Sequence, residues 1–161
     1  MNKIILTNEE PNINANSKEL AKIIIDRIGL MPRKKGSTQR MNEVLIELYE
    51  RSKLASKEKS PTASIMTVEE MATFAGITRQ TMYDYLKRWL LIDFIIKASY
   101  IDKTDKVVIG YRLNGSNIEA AFEKTKIRIK NNLDFTQKYI LELQKTIKNE
   151  KLSKKSKESD E

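Results

Sequence analysis

The stretch Thr67–Trp89, TVEEMATFAGITRQTMYDYLKRW, leaves this chain fewer structural choices than any other. Thr67 and Glu70 have the spacing of a capping box, in which a hydroxyl and a carboxylate satisfy the free amides that open a helix. Met71, Ala72 and Ala75 give that helix an apolar face. Gly76 follows where the chain must leave the helix, in the left-handed conformation that only Gly adopts cheaply. Ile77 plugs the turn. Thr78 caps a second helix whose apolar positions are Met82, Tyr85 or Leu86, and Trp89. The segment therefore predicts two short helices joined by a tight turn.

Two β-rich segments come next. Phe94–Ile101 (FIIKASYI) and Lys106–Leu113 (KVVIGYRL) are dominated by β-branched and aromatic residues, and the polar link Asp102–Asp105 has hairpin length. With Ala72, Gly76, Ile77, Met82 and Tyr85 at the small, turn and core positions of a helix-turn-helix, the chain resembles a winged helix-turn-helix transcriptional regulator over Ser37–Leu113. The expected fold class is mostly α with a small β-hairpin wing and a long C-terminal helix.

The expected organisation is a flexible arm at residues 1–16, a helix and basic connector at 17–36, and the helix-turn-helix and wing at 37–115. A long helix at 116–152 and a disordered, charge-rich tail at 153–161 complete the chain. Within these, Ser17–Ile28 reads as a helix opened by Asn16 and Glu19, and Thr38–Leu54 as the first helix of the three-helix core. Ala63–Met66 reads as a short strand beside the hairpin, and Lys3–Leu6 as a candidate strand. Ser116 and Glu119 read as the cap of the last helix.

The resemblance implies that the second helix enters a DNA major groove. Arg79, Gln80, Thr81 and Tyr83 then stand where base edges are met. Arg79 suits guanine and Gln80 adenine, Thr81 meets a thymine methyl, and Tyr83 also reaches phosphate or sugar. Asp84 opposes phosphates unless a cation or a cytosine pairs with it. Thr78, Lys87 and Arg88 are backbone contacts, as are Lys103 and Lys106 at the hairpin tip and Arg33, Lys34 and Lys35 in the connector. The hairpin lysines read nearly as well as solvated, and the connector cations equally as a charged interhelix loop.

Charge gives weaker guidance. The net charge of +8 favours polyanion partners, yet Pro61–Ile92 holds three basic and three acidic residues, so the expected reader is itself near neutral. Cysteine and histidine are both absent, which removes thiolate and imidazole chemistry. No Gly-rich phosphate loop and no carboxylate set with metal spacing occurs, so no catalytic residue, metal or cofactor is assigned. The N-terminal run MNKIILTNEE lacks a secretory pattern and no stretch reaches membrane-spanning length, so the expected setting is cytoplasmic, away from membranes. No signature of an effector pocket is present.

The C-terminal helix carries a heptad-like seam. Phe122, Ile129, Thr136 and Leu143 alternate with Lys126, Leu133, Ile140 and Ile147 at spacings of four and three. Such a stripe needs cover. Phe122, Ile129, Leu133, Ile140, Leu143 and Ile147 are therefore the expected homodimer interface, with folding back onto the core as the alternative. A two-fold dimer would place its readers on a pseudo-palindromic double-stranded site. The leading expectation is a homodimeric, sequence-specific transcriptional regulator. Alternatives are a DNA-binding accessory factor in replication, partition or plasmid transfer, and a winged-helix protein-interaction module.

Overall fold

In the computed structural model residues 3–160 are described, and they form five α-helices and one antiparallel β-hairpin. In chain order these are α1 (Ser17–Arg27), α2 (Met41–Glu58), a single 3-10 turn (Pro61–Ser64), α3 (Val68–Ala75), α4 (Arg79–Leu91), β1 (Ile95–Ile101), β2 (Val107–Leu113) and α5 (Ile118–Ser159). The chain divides into two units, one ending at Thr125 and the other beginning at Lys126.

The first unit owes its core to the apolar faces of α1 to α4. Ala21 and Ile25 of α1 are buried with Met41, Val44, Leu45 and Leu48 of α2. Met71, Ala72 and Ala75 of α3 join Met82, Leu86 and Trp89 of α4, and Phe94, Ile95 and Leu113 bring in the base of the hairpin. At the Tyr85/Leu86 ambiguity Leu86 takes the buried position, and Tyr85 is half-buried. The strands pair from Ile95↔Leu113 to Ile101↔Val107. Their loop is organised by Asp102, whose carboxylate accepts from the Thr104 hydroxyl at 2.7 Å and the Thr104 and Lys106 amides at 2.8 and 3.0 Å. Those bonds, the Thr104 hydroxyl first, hold its pKa below the ordinary value.

Several boundaries differ from the sequence reading, each for a local reason. α2 starts at Met41 because Thr38 is used as a strut: its hydroxyl donates to the Ala75 carbonyl at 2.5 Å and accepts from the Arg40 amide. Residues 61–64, which begin at Pro61, coil into the 3-10 turn, so Ala63 and Ser64 are not in a strand; only Met66 pairs, with Tyr111, through two 2.8 Å bonds. Lys3–Leu6 forms no strand. The side chain that caps α5 is Asn117, which accepts from the Ala120 amide at 2.7 Å; the helix begins at Ile118, two residues beyond Ser116. Past residue 152, where a disordered tail was expected, the helix continues to Ser159, since no Gly or Pro interrupts it.

Within residues 3–16, expected as a flexible arm, the stretch 5–9 lies against the end of α1, and a turn follows at residues 13–14. The Thr7 amide and hydroxyl donate to the Arg27 and Asp26 carbonyls at 3.1 Å each, and Arg27 donates to the Glu9 carbonyl at 2.5 Å. Gly29 permits this approach: its φ is +76°, and a Cβ there would lie 2.6 Å from the Ile5 carbonyl oxygen. Burial, then the hydrogen bond and charge of Glu9, raise the Asp26 carboxyl from its ordinary 3.8 to about 6. A raised carboxyl pKa contributes stability that is complete below 3.8 and lost as pH rises through 6. Asp26→Asn is thus expected to stabilise the fold at pH 7 by about 1 kcal/mol, after allowance for solvent screening. Urea unfolding should show this gain close as pH falls to 4, near the ordinary value of 3.8.

The second unit is helical to Ser159, and every described side chain in it except half-buried Ile129 is exposed.

Candidate nucleic-acid interface

The two helices that could present a reader are fixed from their ends inward. Thr67 Oγ1 accepts from the Glu70 amide at 3.2 Å, and the Glu70 carboxylate accepts from the Thr67 amide at 3.2 Å, completing the box that opens α3. Glu70 is also ion-paired with Arg51 of α2, which holds Glu47 at 3.0 Å and the Ile65 carbonyl at 3.3 Å. Burial alone would raise the Glu70 carboxyl, but the bonds from Arg51 and Thr67 outweigh it and the pKa is lowered. At the other end Gly76 has φ +69°, and the Ile77 amide reaches back to the Ala72 carbonyl at 3.0 Å, which closes the helix. Thr78 then caps α4, accepting from the Thr81 amide at 3.2 Å and donating to the Thr81 hydroxyl at 2.9 Å.

With Met82, Leu86 and Trp89 turned inward, the helical period puts Gln80, Tyr83, Asp84 and Lys87 on an exposed ridge. Clefts lie along both flanks of it. On one flank Thr81 and Tyr85 line a cleft of about 580 Å³ together with Lys34, Lys35, Arg40 and the Gly76–Ile77 turn. On the other, Arg79 and Tyr83 line a cleft of about 400 Å³ with Glu69, Lys97, Val107 and Ile109. The first half of α4 thus stands between the connector and the hairpin.

The expected contact residues are placed unequally. Gln80 is exposed on the ridge, and Lys87 is exposed with its ammonium 3.4 Å from Asp84, so the acid feared as a repulsive group has a cation beside it. Arg79 is exposed but engaged: its Nε lies 2.8 Å from the Glu69 carboxylate, and its guanidinium sits 5.4 Å from the Tyr83 ring centroid. Arg88 is half-buried and donates to the Met31 carbonyl at 3.0 Å, joining α4 to the connector. Burial, then the charge of Arg33, lowers its pKa. Arg33 donates to the Lys3 carbonyl, while Lys34 and Lys35 are exposed beside α4. Lys103 and Lys106 are exposed on the hairpin loop.

Three participants escaped the sequence reading. Exposed Lys97 alternates with half-buried Ile96 and Ala98 along β1, a period-two signal carried by the sequence. Arg40 and Glu69 reach the ridge from separate elements, and nothing in their local sequence marks them.

Among the described residues, no group of three or more His, Cys, Asp or Glu is placed to hold a metal ion. No described helix is long and apolar enough to cross a membrane. Protein-family models, curated proteins and solved structures yield no match to the chain, so its own residues and their geometry carry the functional reading.

Proposed function

We propose that the first unit is a winged helix-turn-helix that reads double-stranded DNA, with α4 in the major groove and the β1–β2 hairpin as the wing. The observation that carries this reading is the exposed first half of α4, flanked on both sides by cation-bearing clefts. In this reading Gln80 and Arg79 meet base edges, with Arg79 exchanging Glu69 for guanine. Thr81 and Tyr83 border the same groove. Lys34, Lys35 and Lys87 take phosphates from the α4 side, and Lys97, Lys103 and Lys106 take them from the wing side. Arg33 and Arg88 act through position, each bonded to a backbone carbonyl of the protein itself. The protein would work as a homodimer through α5, as a transcriptional regulator or a DNA-bound accessory factor.

The test is selection from random duplexes at moderate salt, using the full chain and an Arg79→Ala/Gln80→Ala variant. The expected result is a two-fold symmetric motif that the variant loses, since each bidentate base contact contributes about 1–3 kcal/mol of discrimination. No enriched motif, with binding that disappears as salt rises, overturns sequence-specific reading.

A second reading, a protein-docking module, is favoured by one observation. Ile101, Val107 and Ile109 of the hairpin are 69%, 66% and 52% exposed. In that case Arg79→Ala/Gln80→Ala leaves any duplex binding unchanged, while Ile101→Ser/Ile109→Ser abolishes partner capture.

A further inference from the structure

The seam on α5 has charged ends as well as an apolar middle. Ile129, Leu133, Thr136, Ile140, Leu143 and Ile147 follow one another at spacings of four and three, which keeps them on one helix face. Leu133, Ile140, Leu143 and Ile147 are 61%, 50%, 57% and 44% exposed. Thr136 has its hydroxyl bonded to the Asn132 carbonyl at 3.1 Å, so it can enter an apolar layer without an unsatisfied donor. One step beyond the apolar stretch on the same face stand Lys126 at one end and Glu150 at the other.

We infer that a second copy of this chain covers the seam with its own α5, running in the opposite direction about a two-fold axis at residue 138. This rests on the dimeric reading above and adds the direction and register of pairing. With that axis Ile129 meets Ile147 of the second copy, Leu133 meets Leu143, and Thr136 meets Ile140. The layers at both ends then place Lys126 against Glu150. Parallel pairing would instead set Lys126 against Lys126 and Glu150 against Glu150, and would stack Thr136 on Thr136.

Of the positions that flank the seam, Asn132, Gln137, Tyr139, Gln144 and Thr146 are uncharged, and the one cation among those between Ile129 and Ile147, Lys130, lies 3.3 Å from Asp134 of its own helix. The other basic residues of that stretch, Lys138 and Lys145, fall on the far side of the helix, away from the joint. Orientation is therefore left to the two end layers. Phe122 lies outside the joint so defined, one layer beyond Lys126.

The chain contains no cysteine, so introduced thiols report without background. Full-length Leu133→Cys and Leu143→Cys variants are mixed, equilibrated and mildly oxidised, and sedimentation gives the mass. Opposed helices yield the mixed 133–143 crosslink in a dimer, with little of either homotypic product. A dimer joined 133–133 and 143–143 overturns the antiparallel register and leaves dimerisation standing. A monomer at tens of micromolar overturns both.

Charge reversal gives an independent readout. Lys126→Glu is expected to weaken dimerisation about ten-fold by turning two symmetric end pairs repulsive, and adding Glu150→Lys restores it. Failure of that rescue overturns the register even where the crosslinks are ambiguous.

Discussion

Trp89→Ala is expected to destabilise the first unit by about 4 kcal/mol, the range for deleting a large buried aromatic. Trp89 is fully buried, and its ring meets Phe94 edge-on, with centroids 5.7 Å apart. Its indole N–H donates to the Leu30 carbonyl at 3.3 Å, so truncation opens a cavity and also strips a buried acceptor of its partner. Phe94 loses its aromatic neighbour at the junction between α4 and β1. Against the roughly 5–15 kcal/mol of net stability usual for a domain, the loss is severe. Urea unfolding followed by circular dichroism measures it, because the variant lacks the chain's single tryptophan. Trp89→Phe keeps most of the packing and should recover more than half of the deficit. A cost below 1.5 kcal/mol for the alanine variant, well under the usual ~3–5 kcal/mol, would show that the site collapses or that the core does not depend on this ring.

Gly110→Ala is the second large effect, expected at about 3 kcal/mol, the upper part of the range for overpacking. The position needs Gly for lack of space. A Cβ at residue 110 would lie 2.4 Å from the Met66 carbonyl oxygen and 2.6 Å from Ile65 Cγ2. The first obstacle is backbone and cannot swing aside. Relief requires separating β2 from Met66, which breaks both 2.8 Å bonds between Met66 and Tyr111. Those bonds join the hairpin to the residue before Thr67, the N-cap of α3. Amide exchange should accelerate at Met66 and Tyr111 well before it does in α2. Unchanged protection at these two amides would mean that the strand shifts along its own axis instead. If the hairpin is the wing, the same variant also weakens duplex binding while leaving α4 intact.

Local signals were the legible part of this molecule. The box of Thr67 and Glu70, the left-handed Gly76, the cap of Thr78 and the alternation that builds the hairpin each act within a few residues, so sequence alone carries them. Ends set by distant partners were hidden. Thr38 leaves the helical pattern only because the Ala75 carbonyl accepts its hydroxyl, and Arg51 gains its role only when folding brings Glu70 to it. Arg88 stands among the backbone contacts that the resemblance implies, and its guanidinium donates to the Met31 carbonyl, a partner that only folding brings to it. The juxtaposition of Lys34 and Lys35 with Thr81 was likewise invisible, since the intervening chain makes two α-helices and a 3-10 turn before it returns. The end of α5 was misjudged for a different reason. A polar composition says that nothing is buried, and it does not stop a helix that lacks a breaker.

The clamp on Arg79 turns ionic strength into a two-sided variable. A ligand that takes this guanidinium on its Nε edge must first displace the Glu69 carboxylate, 2.8 Å away in the free protein. Added salt screens that internal pair, which lies at the surface, and so releases Arg79. The same salt weakens every contact with an external anion. The two responses oppose each other at one residue. Arg79 should therefore show a flatter salt response than Lys34 or Lys35, and removing the carboxylate with Glu69→Gln should steepen it.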